Sequence, residues 1–414
     1  MPIAIAIGGL GLLLLIFMVG GGMSGLIGEA QVAILNSFIM VSIPLFILMG
    51  NIMRCGGITR RLYIAVTPWV SFLPGGFLHT NIVSSAIFGA VSGSGVAGVA
   101  TIGTVAIPEL KKRGYPPRQL LGSIAGGGTL ATMIPPSIPL ILYGAWVGES
   151  VGKLFIAGIF PGFMLAAMFM GYIGLMAVFR WKKLPKREHI SLKVMALSII
   201  PIMPTIILIF AVLGSIYFGV ATPTEAAGIG CLSAFIISLV YREVNWKMLK
   251  EAVVATIHTT SAVFFIVVGA YVFSMAISML RMPVELVAWV TAYEISPIIV
   301  LIFTTIIYMI LGCIIDPTSM IMITLPIMYP LMMKMGFDSI WFGVVMALYV
   351  GMGAVTPPLG LHLFIINGLS PEDKIEEVIK GSMPYFFIML VGLIILILFP
   401  QIALWLPTKM STLR

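Results

Sequence analysis

The sequence predicts an all-α polytopic membrane protein, and three observations point there. Of the 414 residues, 60% are hydrophobic and only 9% are charged, with a mean hydropathy of +1.14. A soluble domain carries about 25% charged residues, so this chain has too little polar surface to meet water, and the bilayer is its main solvent. Apolar runs of membrane-crossing length recur along the chain. In lipid only a helix or a closed barrel satisfies its own backbone groups, and runs of about 20 residues suit helices. Finally, two long apolar stretches are broken at their centres by small or polar residues, and the second half repeats the punctuation of the first.

Taken in order, the runs predict full spans at roughly 3–22, 30–53, 119–143, 154–180, 194–217, 224–241, 252–280, 339–366 and 382–406. The first run has no positive leader and no clear cleavage site, so it is expected to be a retained helix. Residues 78–108 break at Ser92–Gly95, and residues 297–335 break at Asp316–Ser319. At about 1.5 Å per residue each half falls short of the bilayer, which predicts two re-entrant helical hairpins. A short charged or proline-bearing piece precedes each, at 60–76 and 281–294. These are expected to be interfacial arm helices.

Charge supports this topology. With the N-terminus inside and each hairpin a return, inner loops hold Arg54, Arg60 and Arg61; Lys111, Lys112, Arg113 and Arg118; six basic residues from Arg180 to Lys193; Arg242, Lys247 and Lys250; and Lys374 and Lys380. That is 18 of the 23 basic residues, leaving Lys153, Arg281, Lys334, Lys409 and Arg414 outside. Basic residues favour the cytoplasmic side. The net charge of +8 is therefore a sign of orientation and not of nucleic-acid binding.

The chain also repeats itself. Pro108, Gly114 and Pro135-Pro136 recur as Pro330, Gly336 and Pro357-Pro358, with Lys112 and Ala125 matching Lys334 and Ala347, all 222 residues apart. The reading is one transmembrane unit, 1–414, with inverted repeats at about 30–180 and 252–406 and linking helices at 194–241. Paired broken segments in oppositely oriented halves mark the binding site of a secondary transporter. The same register sets Ser94 opposite Asp316, one at each hairpin tip.

Gly93-Ser-Gly95-Val-Ala-Gly98 spells a dinucleotide fingerprint, but that motif needs a preceding strand and an acidic residue about 20 positions on in a βαβ unit. Here an apolar helical run precedes it. Two readings remain: glycines that let helices pack closely, or a hairpin tip where helix ends and the hydroxyls of Ser92 and Ser94 offer oxygens to Na⁺ and amides to an anion. The breaks at 126–137 and 351–360 pose the same choice. Each proline removes a backbone donor and frees a carbonyl, which makes either a kink or part of a site.

Asp316 is the acid placed deepest in the membrane, a position that marks function by default. It is also a good N-cap for a helix starting at Pro317. Thr222, Pro223 and Glu225 read as a capping box. The histidines at 79, 189, 258 and 362 lack metal spacing, and His362, just after the second proline pair, stands open as a cavity residue. Cys55, Cys231 and Cys313 lack a C-x-x-C spacing and read as idle thiols.

Several motifs together, "FGAVSGSGVAGVATIG", "IPELKKRGY", "GGGTLATMIPPSIPLILYG", "LFIAGIFPG", "FGVATPTEAAG" and "TPPLGLHLF", resemble the large membrane subunit of TRAP (tripartite ATP-independent periplasmic) transporters, nearly end to end. The resemblance implies an elevator-type carrier of the ion transporter superfamily in a bacterial or archaeal inner membrane. It implies a separate small four-helix membrane subunit, a periplasmic binding protein that delivers an organic acid, and sodium as coupling ion without an organic cofactor. By position, one sodium site would use Ser92, Gly93, Ser94 and Gly95 with Ile134 and Pro135. The other would use Asp316, Thr318 and Ser319 with Gly351, Val355 and Thr356. Substrate contacts would come from Ser94, Pro136, Asp316, Pro358 and His362. The family often has Asn where His362 stands.

Two other readings are weighed. An intramembrane hydrolase would need a second acid, or a serine with a base, at membrane depth, and none is placed there, so no enzyme is expected. A stand-alone sodium-coupled dicarboxylate carrier of the same fold is the nearer alternative.

Overall fold

The computed structural model describes residues 2–19, 28, 32, 35–179, 185 and 191–411. Most of the basic loop expected at 180–193, together with His189 and Arg414, lies outside the described residues.

The described residues are helical, with no strand among them. The first half runs α1 (Pro2–Leu14, closed by a π-turn to Val19), α2 (Ser42–Cys55), α3 (Ile58–Val70), α4 (Phe77–Ser92), α5 (Gly95–Lys112), α6 (Pro117–Thr129), α7 (Ile138–Val147) and α8 (Val151–Phe179). Two linking segments follow, α9 (Leu192–Leu197) with α10 (Ile199–Tyr217), and α11 (Pro223–Val240). The second half runs α12 (Trp246–Met279), α13 (Met282–Ala292), α14 (Pro297–Gly312), α15 (Pro317–Lys334), α16 (Ser339–Ala354), α17 (Leu361–Leu369), α18 (Ile375–Leu398) and α19 (Gln401–Ser411).

Both expected hairpins are present. The pair α4–α5 turns at Gly93-Ser94, and the pair α14–α15 turns at 313–316. Gly93 takes φ +64, a left-handed value that glycine adopts without a Cβ clash. A Cβ there would also sit 2.8 Å from the Pro136 carbonyl oxygen. The second tip needs no such residue, because Asp316 caps α15 by accepting the Ser319 amide at 3.1 Å. Ser94 caps α5 in the same way, accepting from the Ala97 amide at 3.3 Å. The arm segments fold as α3 and α13, and α3 bends by 71° from α2.

The 222-residue register holds at the level of elements. Helices start at Gly95 and Pro317, end at Lys112 and Lys334, and start again at Pro117 and Ser339, each pair 222 residues apart. A Cβ on Gly89 would lie 2.8 Å from Ala131 Cα, and one on Gly312 would lie 2.6 Å from Gly353 Cα. Ala131 and Gly353 are again 222 apart and Gly89 and Gly312 are 223 apart, so both halves cross a hairpin helix over a broken helix at points that match to within one residue.

Four expected spans differ, and in the run at 30–53 the helix α2 starts only at Ser42. The runs at 119–143 and 339–366 are each two helices, α6 with α7 and α16 with α17. Pro135-Pro136 and Pro357-Pro358 stop the backbone ladder there, and both Pro–Pro bonds are cis. The run at 382–406 is also broken, with α18 ending before Phe399-Pro400 and α19 starting at Gln401. Among the described residues five helices are long and apolar enough to cross a membrane: α8, α10, α11, α12 and α18. The α2–α3 bent pair makes a sixth if counted as one span. Glu225 is the structural residue expected, completing a capping box in which its carboxylate accepts from the Thr222 amide at 2.8 Å.

Candidate functional site: a cavity between two hairpin tips

The two hairpin tips and both helix breaks face one cavity of about 610 Å³. Ser92–Ala97 line it from the first tip, and Asp316, Pro317 and Thr318 from the second. Thr132, Ile138 and Pro139 come from the first broken helix, and Ala354, Leu361 and His362 from the second. The bent α2 closes one wall with Ile47, Gly50, Asn51 and Arg54. Gly50 is small for a reason of contact: a Cβ on it would lie 2.7 Å from that of Ser92.

Backbone bonds tie each tip to its break. The Gly93 carbonyl accepts from the Ile138 amide at 3.2 Å, and the Cys313 carbonyl accepts from the Leu359 amide at 3.1 Å. The two tips are thus anchored by similar contacts, one in each half, whose positions match to within two residues of the 222 register.

Helix ends add to the field that Arg54, Arg60 and Asp316 set up in the cavity. The first turns of α5, α7, α15 and α17 all line it. A helix N-terminus carries about half a positive charge and unpaired amides, which favour an anion. Among the described residues Asp316 is the only acidic one in the lining. It is partly exposed there, and its other oxygen accepts from the Ser319 hydroxyl. The capping and cavity readings of Asp316 are therefore compatible.

His362 is 1% exposed and lines the cavity under Gly95. Its Nδ1 lies 3.2 Å from the Ala125 carbonyl oxygen. A carbonyl only accepts, so Nδ1 carries the hydrogen, and in the neutral ring Nε2 is left as an acceptor. A Cβ on Gly95 would lie 2.8 Å from Nε2.

The remaining sequence-derived residues stand behind this lining. Pro136 holds its carbonyl oxygen against Gly93. Ser319 is buried at the root of the second tip. Gly351 packs against Thr129 and Thr132, the residues just before the first break. Thr356 donates to the Met352 carbonyl at 2.6 Å and accepts from the Gly360 amide at 2.9 Å. Ile134, Pro135, Val355 and Pro358 belong to the breaks but not to the cavity lining. The sequence reading missed Gly50, Asn51, Thr132 and Thr259. The Gly50-Asn51 interruption of an apolar run was the available signal for the first two.

No group of three or more His, Cys, Asp or Glu residues that could hold a metal ion occurs among the described residues. The oxygens at hand are hydroxyls, carbonyls and one carboxylate, a hard donor set of the kind that suits alkali and alkaline-earth cations and not transition metals.

Two broken helical hairpins meeting two broken helices around an internal cavity define the architecture of a secondary membrane carrier. Residues 1–402 match the family described as "Tripartite ATP-independent periplasmic transporter, DctM component". The chain is 34% identical over 371 residues to the C4-dicarboxylate TRAP transporter large permease protein DctM of Pseudomonas aeruginosa, covering 89% of this chain and 86% of that one. It is 31% identical over 379 residues to the 2,3-diketo-L-gulonate TRAP transporter large permease protein YiaN of Escherichia coli, covering 90% and 87%. The YdaH transporter of Alcanivorax borkumensis has a similar fold at TM-score 0.66 and 14% identity, covering 99% of this chain and 97% of that one. MtrF of Neisseria gonorrhoeae, at TM-score 0.62 and 12% identity, covers 94% and 85%. These two likenesses show the fold alone. The chain belongs to the DctM family of TRAP transporter large membrane subunits, and it is a multi-pass protein of the cell inner membrane.

Proposed function

We propose that this chain is the permease subunit through which a TRAP transporter takes up an organic acid anion, driven by sodium. The observation that carries the reading is the convergence of four helix N-termini and one carboxylate on a single cavity. The N-termini favour an anion, and Asp316 with the tip hydroxyls favours a hard cation. A site that prefers both together couples them, because each ligand improves the field for the other.

In this reading one sodium ion is held at the first tip by Ser92, Gly93, Ser94 and Gly95 with carbonyls near Ile134 and Pro135. The other is held by Asp316, Thr318 and Ser319 with Gly351, Val355 and Thr356. The anion sits between the tips, near Ser94, Asp316 and His362, with Pro136 and Pro358 shaping the breaks behind it. The two halves, about 30–180 and 252–406, act as inverted repeats about this point, linked through 194–241. An elevator motion of the tips and breaks against the α2 and α12 wall exposes the site alternately. The chain is read as a carrier and not as an enzyme. Relatives named for C4-dicarboxylate and 2,3-diketo-L-gulonate support an organic acid as substrate. The tripartite description of the family supports two partners, here assigned as a small four-helix membrane subunit and a periplasmic binding protein.

Reconstitution tests this. Vesicles holding the chain with both partners should accumulate an organic acid when sodium is higher outside, and vesicles holding the chain alone should not. Sodium-independent uptake would remove the coupling. Robust uptake by the chain alone would favour a stand-alone carrier.

A further inference from the structure

We propose a second carboxylate-holding subsite in the same cavity, at the end away from the tips, built from Arg60 and Arg54 with the hydroxyls of Thr59 and Thr101. It rests on the reading of the cavity as an organic-anion path.

The cavity is longer on one side than on the other. Along α5 its lining runs from Gly95 to Val105, about 15 Å at 1.5 Å per residue, whereas along α15 it stops at Ile321. The long end therefore points toward the base of the first hairpin. Down the opposite wall, Gly50 touches the tip at Ser92, Arg54 follows one turn later, and Thr59 and Arg60 come just after the bend into α3. Among the described residues the cations of the lining, Arg54 and Arg60, both lie at this end, and the one acid, Asp316, lies at the other.

Charge alone decides nothing here, since basic residues gather on the inner side of any membrane protein. The second observation is independent of charge. Thr59 is 1% exposed and Thr101 is 8% exposed, both line the cavity, and neither hydroxyl has a hydrogen-bond partner. Thr104, one turn beyond Thr101 on the same helix, instead satisfies itself on the Ala100 carbonyl at 2.7 Å. A buried hydroxyl left unpaired is costly; both oxygens are enclosed in this structure, and a side-chain rotation that turns them to the cavity would let a bound carboxylate remove that cost. Arg54 spends part of its charge on Glu251 at 3.0 Å. Arg60 is exposed to the cavity and has no acidic partner among the described residues. An anion leaving the tips thus reaches a guanidinium without an acidic partner at the end of its path, with two unsatisfied hydroxyls in the wall beside it. The subsite would hold it as the tips release sodium and lose their own attraction.

The test uses the transporter with its partners in membrane vesicles, in a background where Cys55, Cys231 and Cys313 are serine. Thr104→Cys supplies a reporter that is not one of the proposed donors. Its rate of modification is read with a negatively charged and with a neutral methanethiosulfonate reagent, at fixed ionic strength. Arg60→Gln should slow the anionic reagent by about five-fold and leave the neutral one unchanged. Succinate should protect the reporter better than chloride at equal ionic strength, and Arg60→Gln should raise the protecting concentration by about the same factor. Thr59→Val with Thr101→Val should raise it too, without altering the anionic reagent's rate. An unchanged anionic rate in Arg60→Gln, or equal protection by succinate and chloride, overturns the proposal. Failure of the transport reading would show separately, as absent uptake by the unmutated complex.

Discussion

Asp316 caps a helix and lines the cavity, and one experiment separates the cap from the sodium-holding role proposed for it. As an N-cap it holds the first turn of α15 through the Ser319 amide. As a carboxylate in the cavity it faces a medium that penalises a bare charge by about 2.5–3.5 kcal/mol on the mild insertion scale, and a bound cation offsets that. Asn caps a helix about as well as Asp but carries no charge. Asp316→Asn should therefore leave expression and folding close to normal while raising the sodium concentration for half-maximal uptake roughly ten-fold, equal to about 1.4 kcal/mol of ion binding. Ser94→Ala should move the curve the same way by a smaller factor, because a hydroxyl brings less charge. A sodium curve that does not move in Asp316→Asn would reduce Asp316 to a cap, and sodium would then be held by carbonyls and hydroxyls. Both tip residues were legible in the sequence because each is a polar interruption of an apolar run with a capping residue at its centre. Arg54 and Arg60 were not. In the sequence they are charges that set orientation, and in the structure Arg54 reaches the cavity from the last turn of α2 and Arg60 from just after the bend into α3.

At the scale of elements, the base of the first hairpin is latched by an ionic cluster. Lys111, in the last turn of α5, reaches Glu372 at 2.6 Å, Asp373 and the buried Ser370 hydroxyl in the segment between α17 and α18. Ser370 in turn donates to Asp373 at 2.7 Å. Asp373 lies below its ordinary value: partial burial works upward, but the Lys111 and Ser370 bonds work downward and win. A carboxyl depressed in the folded state adds stability above its ordinary value of 3.8, and that stability is lost as pH falls through the lower folded value. Asp373→Asn should lower the unfolding midpoint at pH 7 by an amount worth about 1–2 kcal/mol. The gap to the parent protein should close as the pH drops below that of ordinary aspartate. Glu372→Gln should do much less, since that carboxylate is exposed. A midpoint unchanged in Asp373→Asn at pH 7 would make the latch a surface contact. Nothing in the sequence announced this latch, because its members are 259 to 262 residues apart. The breaks were announced, by paired prolines. Their consequence was only half visible: the runs at 119–143 and 339–366 read as spans with a break, and the structure makes each two separate short helices.

Across the whole molecule, hydrophobic content fixed the solvent, basic residues suggested the sides, and spaced prolines and glycines exposed the repeat. What pattern alone left open was how the two halves meet. The structure answers with paired crossings at Gly89/Ala131 and Gly312/Gly353 and paired tip bonds at Gly93 and Cys313. The proposed transport requires that these matched halves enter the membrane from opposite sides and share one cavity. Side-specific labelling tests it most directly. Lys112→Cys and Arg118→Cys, at the base of the first hairpin, should react with an impermeant thiol reagent only from the cytoplasm. Lys334→Cys, at the base of the second, should react only from the periplasm. Labelling of both bases from the same side would contradict the inverted arrangement, and with it the alternating-access reading of the cavity.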